Sequence, residues 1–215
     1  MKYLLHQHRF GLDIIKSDPE LKSLWEDITD TLTAISDARI ISEYEQTLNA
    51  MSISAAINNL IDSDLKALGW TPQSAIFQGS EYESRSWRLD FAKTTKKNMD
   101  RKSGIAVEVA FNHGEAIAWN LLKPVLAAEI NHVGTETDIG VGVGVYICAT
   151  ERLKSAGAFD GAVGEYEKVL RYLSPLFSKL TVPMIIVGLD APETFRVVKT
   201  KNKITGKNKG SIVRF

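Results

Sequence analysis

Cysteine is nearly missing. Cys148 is the only one in 215 residues, so the chain has no internal disulfide, and a reducing cytoplasm is the expected setting. Proline is sparse at six residues, and nothing in the chain is low in complexity or periodic in glycine, which excludes a collagen or a disordered linker. No apolar run approaches the roughly 18 residues of a membrane span. The opening MKYLLHQHRF turns polar too soon to read as a secretory signal. No Cys or acidic cluster joins His6 and His8, so a zinc centre there is not expected. An excess of one charge is absent too: 26 Lys and Arg stand against 26 Asp and Glu.

What remains is ordinary for a globular chain, 44% hydrophobic and 24% charged, and the length suits a single domain over residues 1–215. The neutral total hides an uneven spread. Residues 1–70 hold eleven acids and six bases, whereas residues 191–215 hold one acid, Glu193, and seven bases. The stretch Lys93, Lys96, Lys97, Arg101, Lys102 is basic as well, with only Asp100 against it. Phosphate responds to local charge, so a neutral total does not exclude nucleic acid, although lysine-rich loops are more often plain solvated surface.

Periodicity supplies the elements. Asp18-Pro19-Glu20 opens a helix, followed by Leu21, Leu24, Trp25, Ile28 and Leu32 at helical spacing. A second helix is expected from Ser52 to Leu68, with Gly69 stopping it. Thr71 to Ser86 reads as loop with a short strand near Ile76. Trp87 to Phe91 and Ile105 to Phe111 read as strands flanking a polar excursion. A helix over Glu115 to Asn131 with a kink at Pro124, a buried strand over Asp138 to Ala149, a helix over Asp160 to Leu180 interrupted at Pro175, and a strand over Val182 to Leu189 complete the pattern. That alternation predicts an α/β fold with a mixed sheet flanked by helices.

Chemistry centres on the strand pair. In Ile105 to Phe111 alternate residues share a face, so Glu108 lies with Ala106 and Ala110, a carboxylate in apolar company. Asp90, brought alongside by strand pairing, makes ionisation harder still unless a cation, a shared proton or a base is present. Mg²⁺ suits two hard carboxylates, and metal-assisted phosphodiester hydrolysis follows if the basic segments hold a polyanion nearby. On spacing alone the commoner outcome is a pair of edge-strand salt bridges, Asp90 with Arg88 and Glu108 with Lys102 or Arg101.

RLDF (Asp90) followed by IAVEVAFNH (Glu108) resembles the metal site of the PD-(D/E)xK nucleases, and within them the BglII and BstYI group of type II restriction endonucleases. FGLDII, LWEDITDTL, LKALGW, IIVGLD and KGSIVRF resemble segments of that group in the same order. The resemblance implies a restriction-endonuclease-like core and Mg²⁺-dependent cleavage of double-stranded DNA at a short palindrome by a homodimer, with no nucleotide cofactor and no membrane. It implies that Asp90, Glu108 and the Val109 carbonyl hold the metal, with Gln73 a further catalytic candidate. Asn112 and His113 match positions that reach base edges, and Ser155 to Gly161 matches a second reading loop. Lys96, Lys97, Lys123, Lys207 and Lys209 are the cations expected on the phosphate backbone.

The chain departs from the pattern at Ala110, where the wider superfamily has Lys and this group has Gln or Glu. Three explanations stand open. Gln73, Lys93 or Lys123 reaches the site instead; the chain is a weakened or inactive DNA-binding relative; or alanine was placed there by engineering. Gly140, Gly142 and Gly144 alternate with valines inside a strand rather than at a strand-to-helix turn, which points to close packing and not to a dinucleotide fingerprint. Met51, His132 and the tryptophans read as packing or capping residues.

Overall fold

Asp18 does cap a helix. Its Oδ1 accepts from the backbone N–H groups of Glu20 at 2.9 Å and Leu21 at 3.3 Å, and α2 (Pro19–Ala34) follows. In the computed structural model, which describes residues 1–47, 50–95, 103–128, 142–201 and 208–215, Leu21, Leu24, Ile28 and Leu32 of the expected stripe are buried and Trp25 is half-buried. α4 (Ser54–Ala67) buries Ala56, Ile57, Leu60, Ile61 and Leu65, and the chain turns at Gly69 with φ of 80°. Two helices of this layer were not expected from the periodicity: α1 (Gly11–Ser17) and α3 (Asp37–Gln46). Ser36 caps α3 by accepting from the Arg39 N–H at 3.3 Å.

Six strands form one mixed sheet: β1 (Tyr3–His8), β2 (Thr71–Ala75), β3 (Arg88–Thr94), β4 (Gly104–Ala110), β5 (Val143–Ala149) and β6 (Met184–Leu189), in the spatial order β1-β6-β5-β4-β3-β2. β4, β5 and β6 run parallel; β1, β3 and β2 pair antiparallel with their neighbours. Every residue of β5 and β6 is buried, as parallel strands covered on both faces require. Val145, Ile147, Ile185 and Val187 face the layer of α1 to α4, while Tyr146, Cys148 and Ile186 face α5 (Ile117–Ala128) and α7 (Tyr166–Leu176).

Several expected boundaries move. β2 ends just before Ile76 instead of centring on it. β3 and β4 extend into the expected loop, with Lys93 opposite Ile105 and Thr94 opposite Gly104. The helix expected over Asp160 to Leu180 is α7 alone, because Asp160 to Glu165 packs back against the end of β4. α6 (Glu151–Ala156), capped by Thr150, and the ribbon β7 (Phe195–Lys201) with β8 (Asn208–Arg214) complete the fold. Phe195 and Val197 anchor that ribbon in the core. No helix among the described residues is long and apolar enough to cross a membrane.

Gly144 is a packing glycine. A Cβ there would lie 2.9 Å from Cβ of Pro124, so α5 sits directly on β5. Gly144→Val is expected to lower stability by about 1–3 kcal/mol, the range for overpacking a core, read from a urea-unfolding midpoint. An unchanged midpoint would mean that α5 does not rest on the sheet at this point.

Candidate active site

The β3–β4 register sets Phe91 opposite Val107, and continuing it by one pair sets Asp90 across from Glu108. Both side chains lie on the α5 face, where Ala106 and Ala110 leave room around Glu108. Glu108 is 1% exposed. Its Oε2 accepts from Lys123 Nζ at 2.9 Å, whereas Oε1 is buried with no hydrogen-bond partner. Asp90 is half-buried; its Oδ2 accepts from the Val109 N–H at 2.8 Å and its Oδ1 from Gln73 Nε2 at 3.3 Å. Gln73 holds a left-handed backbone with φ of 48°, uncommon for a residue with a side chain.

Burial pushes the Glu108 carboxyl up to about 8, with the charge of Asp90 adding to the shift and Lys123 opposing it through its charge and hydrogen bond. Asp90 is also raised, again mainly by burial, against the Val109 N–H, the Lys123 charge and Gln73. One ammonium facing two carboxyls leaves the pair short of positive charge. An orphaned carboxylate oxygen beside a second carboxylate is the hard-oxygen donor set that a divalent cation completes. The residues therefore fit a metal of the Mg²⁺ class, although two acids fall short of a three-ligand cluster, and none of that size occurs among the described residues.

The edge-strand salt bridges do not form for Asp90: Arg88 donates instead to the carbonyls of Glu83 at 3.3 Å and Gln73 at 3.0 Å. The partner of Glu108 is Lys123, while Arg101 and Lys102 lie outside the described residues. Of the three side chains considered as substitutes for Ala110, Gln73 and Lys123 reach the carboxyls. Lys93 does not, because its Nζ is held by Asp27 at 2.8 Å and by the Leu68 carbonyl at 2.7 Å. Lys123 corrects its own expectation as a surface cation. α5 turns it inward, where it is 8% exposed and paired, so it is not free on the surface for the phosphate backbone. Lys209 is exposed on β8; Lys96, Lys97 and Lys207 fall outside the described residues.

Asn112 and His113 are exposed just beyond β4, on the side where all three parallel strands end. Ligands of open α/β sheets favour that edge. The Asn112 carbonyl accepts from the Gly164 N–H at 3.0 Å, and the Gly114 N–H donates to the Ala162 carbonyl at 2.8 Å. His113 bridges Val163, and Phe111 stacks edge-on against Phe159 at 5.4 Å. The two expected reading segments are thus laced together, the second through residues 159–164 more than through Ser155 and Ala156, which belong to α6. Gly164 allows the approach, since a Cβ there would lie 3.1 Å from Gly114 Cα. Lys199 Nζ donates to the Phe159 carbonyl at 3.2 Å and brings the basic ribbon to the same edge.

Sequence reasoning missed Asn120 and Tyr146. Asn120 is 4% exposed and Tyr146 1%, and the Asn120 amide lies near the Tyr146 hydroxyl. The available signal was an Asn and a Lys three residues apart in an otherwise apolar helix, which share one face.

A family model described as restriction endonuclease BglII/BglIII matches residues 3–189. Comparison with curated proteins gives no match. Among solved structures, restriction endonuclease BglII complexed with a DNA 16-mer is 18% identical with a TM-score of 0.64, and free BglII is 16% identical with a TM-score of 0.52. Each comparison covers 100% of both chains. At such identities the likeness is one of fold.

Proposed function

The chain belongs to the BglII/BglIII restriction endonuclease family and is a type II site-specific deoxyribonuclease, and from that premise we propose that it cuts double-stranded DNA at a short palindrome as a Mg²⁺-dependent homodimer of single-domain subunits. The observation that carries the proposal is the buried, unpartnered Oε1 of Glu108 opposite Asp90. Asp90, Glu108 and the Val109 carbonyl would hold the cation. Bound there, Mg²⁺ would supply positive charge to the phosphoryl oxygens and acidify water.

The chain's own residues do the rest. Gln73 and the Val109 N–H fix the Asp90 carboxyl from two directions. Lys123 holds one oxygen of Glu108 and keeps an ammonium beside the site, where it offsets charge developing on the phosphate. Water attacks phosphorus in line with the leaving 3′ oxygen, which departs as a 3′-hydroxyl and leaves a 5′-phosphate. Asn112 and His113 read base edges, while the cations of the ribbon, Lys209 among them, hold the backbone. Ala110, 2% exposed and without a functional group, favours a relative of weakened turnover. The presence of Lys123 and Gln73 at the carboxyls supports retained cleavage.

A plasmid digest decides between the readings. With Mg²⁺ the protein is expected to yield discrete fragments whose mapped ends share one palindrome, and chelation by EDTA is expected to stop the reaction. A mobility shift without cutting would leave only the DNA-binding relative.

A further inference from the structure

We infer that Asn120 is a positioning residue that makes cleavage conditional on base reading by Asn112; the inference rests on the proposed roles of Glu108 and Asn112. An asparagine inside an apolar helix is disfavoured, and a buried amide is costly unless it is bonded. Asn120 meets that cost through Asn112: its Nδ2 donates to Oδ1 of the exposed Asn112 at 3.4 Å, and its amide lies near the Tyr146 hydroxyl. Tyr146 lies beside Glu108 in the β4–β5 register. One turn further along the same face of α5, Lys123 holds Glu108.

A single turn of helix thus touches the base reader at one end and the cutting carboxylate at the other. An Asn that reads adenine needs both its amide oxygen and its amide nitrogen for the base. The Asn112 oxygen already accepts one bond from Asn120, so a base that draws on the same oxygen pulls on that bond. Pro124 packs on Gly144 but gives the Asn120 carbonyl no N–H, so the turn that carries Lys123 stays seated on β5 yet can yield at Asn120 and pass that change to Glu108. A mismatched base leaves Asn112 tied to Asn120 and the turn in its unengaged position. Two-state coupling of this kind operates through contiguous bonded contacts.

The test uses short duplexes carrying the mapped site and its single-base variants. In Asn120→Leu, the ratio of single-turnover cleavage rates between the mapped site and the variants is expected to fall roughly tenfold or more, with Ca²⁺-supported DNA affinity little changed. Tyr146→Phe keeps the ring and removes only the hydroxyl, and a smaller fall in the same direction is expected. The pair Asn112→Ala with Asn120→Leu is expected to lose no more discrimination than Asn112→Ala alone. Additive losses, or an unchanged ratio in both Asn120→Leu and Tyr146→Phe, would overturn the inference. If Asn120→Leu does not fold, the ratio in Tyr146→Phe decides. A wild-type protein that cuts no plasmid overturns the reading of the carboxyl pair first; one that cuts with ratios insensitive to these changes overturns this inference alone.

Discussion

Glu108→Gln is expected to abolish cleavage, by roughly a thousandfold or more, while making the metal-free protein more stable at pH 8. The two effects have one cause. Burial has raised the carboxyl from its ordinary 4.5 to about 8. The folded state therefore binds more protons than the unfolded state between those limits, and stability falls as pH rises through that window. Above about pH 8 the full penalty of an ionised, buried Glu108 is present. An amide cannot ionise, and Asp90 remains to offset Lys123, so the variant escapes the penalty by an order of about 2–4 kcal/mol. At pH 4 to 5 wild type and variant are expected to unfold together. Adding Mg²⁺ at pH 8 is expected to raise the melting temperature of the wild type and leave Glu108→Gln unmoved, because only the carboxylate rewards a bound cation. Melting curves across pH, with and without Mg²⁺, check all of this. A variant less stable at pH 8 than the wild type would make Glu108 a structural ion-pair partner instead of a ligand.

Lys123→Met is expected to behave in the opposite way. Above about pH 8, where Glu108 carries its charge, it leaves Glu108 and Asp90 facing one another without their ammonium, and stripping one partner from a buried pair costs about 3–5 kcal/mol. Cleavage is expected to fall by about a hundredfold to a thousandfold, the usual loss when one charge-stabilising donor is removed. Combining Lys123→Met with Glu108→Gln is expected to restore most of the stability, since a buried pair replaced on both sides is near neutral, but none of the cleavage. Urea midpoints and single-turnover rates separate the two effects. Wild-type cleavage by a folded Lys123→Met would remove the ammonium from the chemistry and return Ala110 to prominence as a mark of weak turnover.

Much of this was written locally. The α2 and α4 stripes, the Asp18 cap, the apolar runs of β5 and β6 and the position of Glu108 between Ala106 and Ala110 all follow from periods of 3.6 or 2. β1 escaped notice because it is an edge strand: Leu4, Leu5, His6 and Gln7 are all exposed, and only His8 is buried, so no alternation marks it. α3 and the ribbon were hidden by composition, their polar and lysine-rich outer faces outweighing the few residues, such as Ile40, Phe195 and Val197, that reach the core.

The amino-acid order by itself determined which face each side chain takes, and so placed a carboxylate at position 108 among apolar neighbours. Only the tertiary structure decided which cation it meets and which asparagine stands behind the reader. Partner choice was settled where α5 lies down on β4 and β5, with Pro124 against Gly144. No local period encodes that docking, because it joins residues fifteen or more positions apart: Lys123 to Glu108, and Gln73 to Asp90.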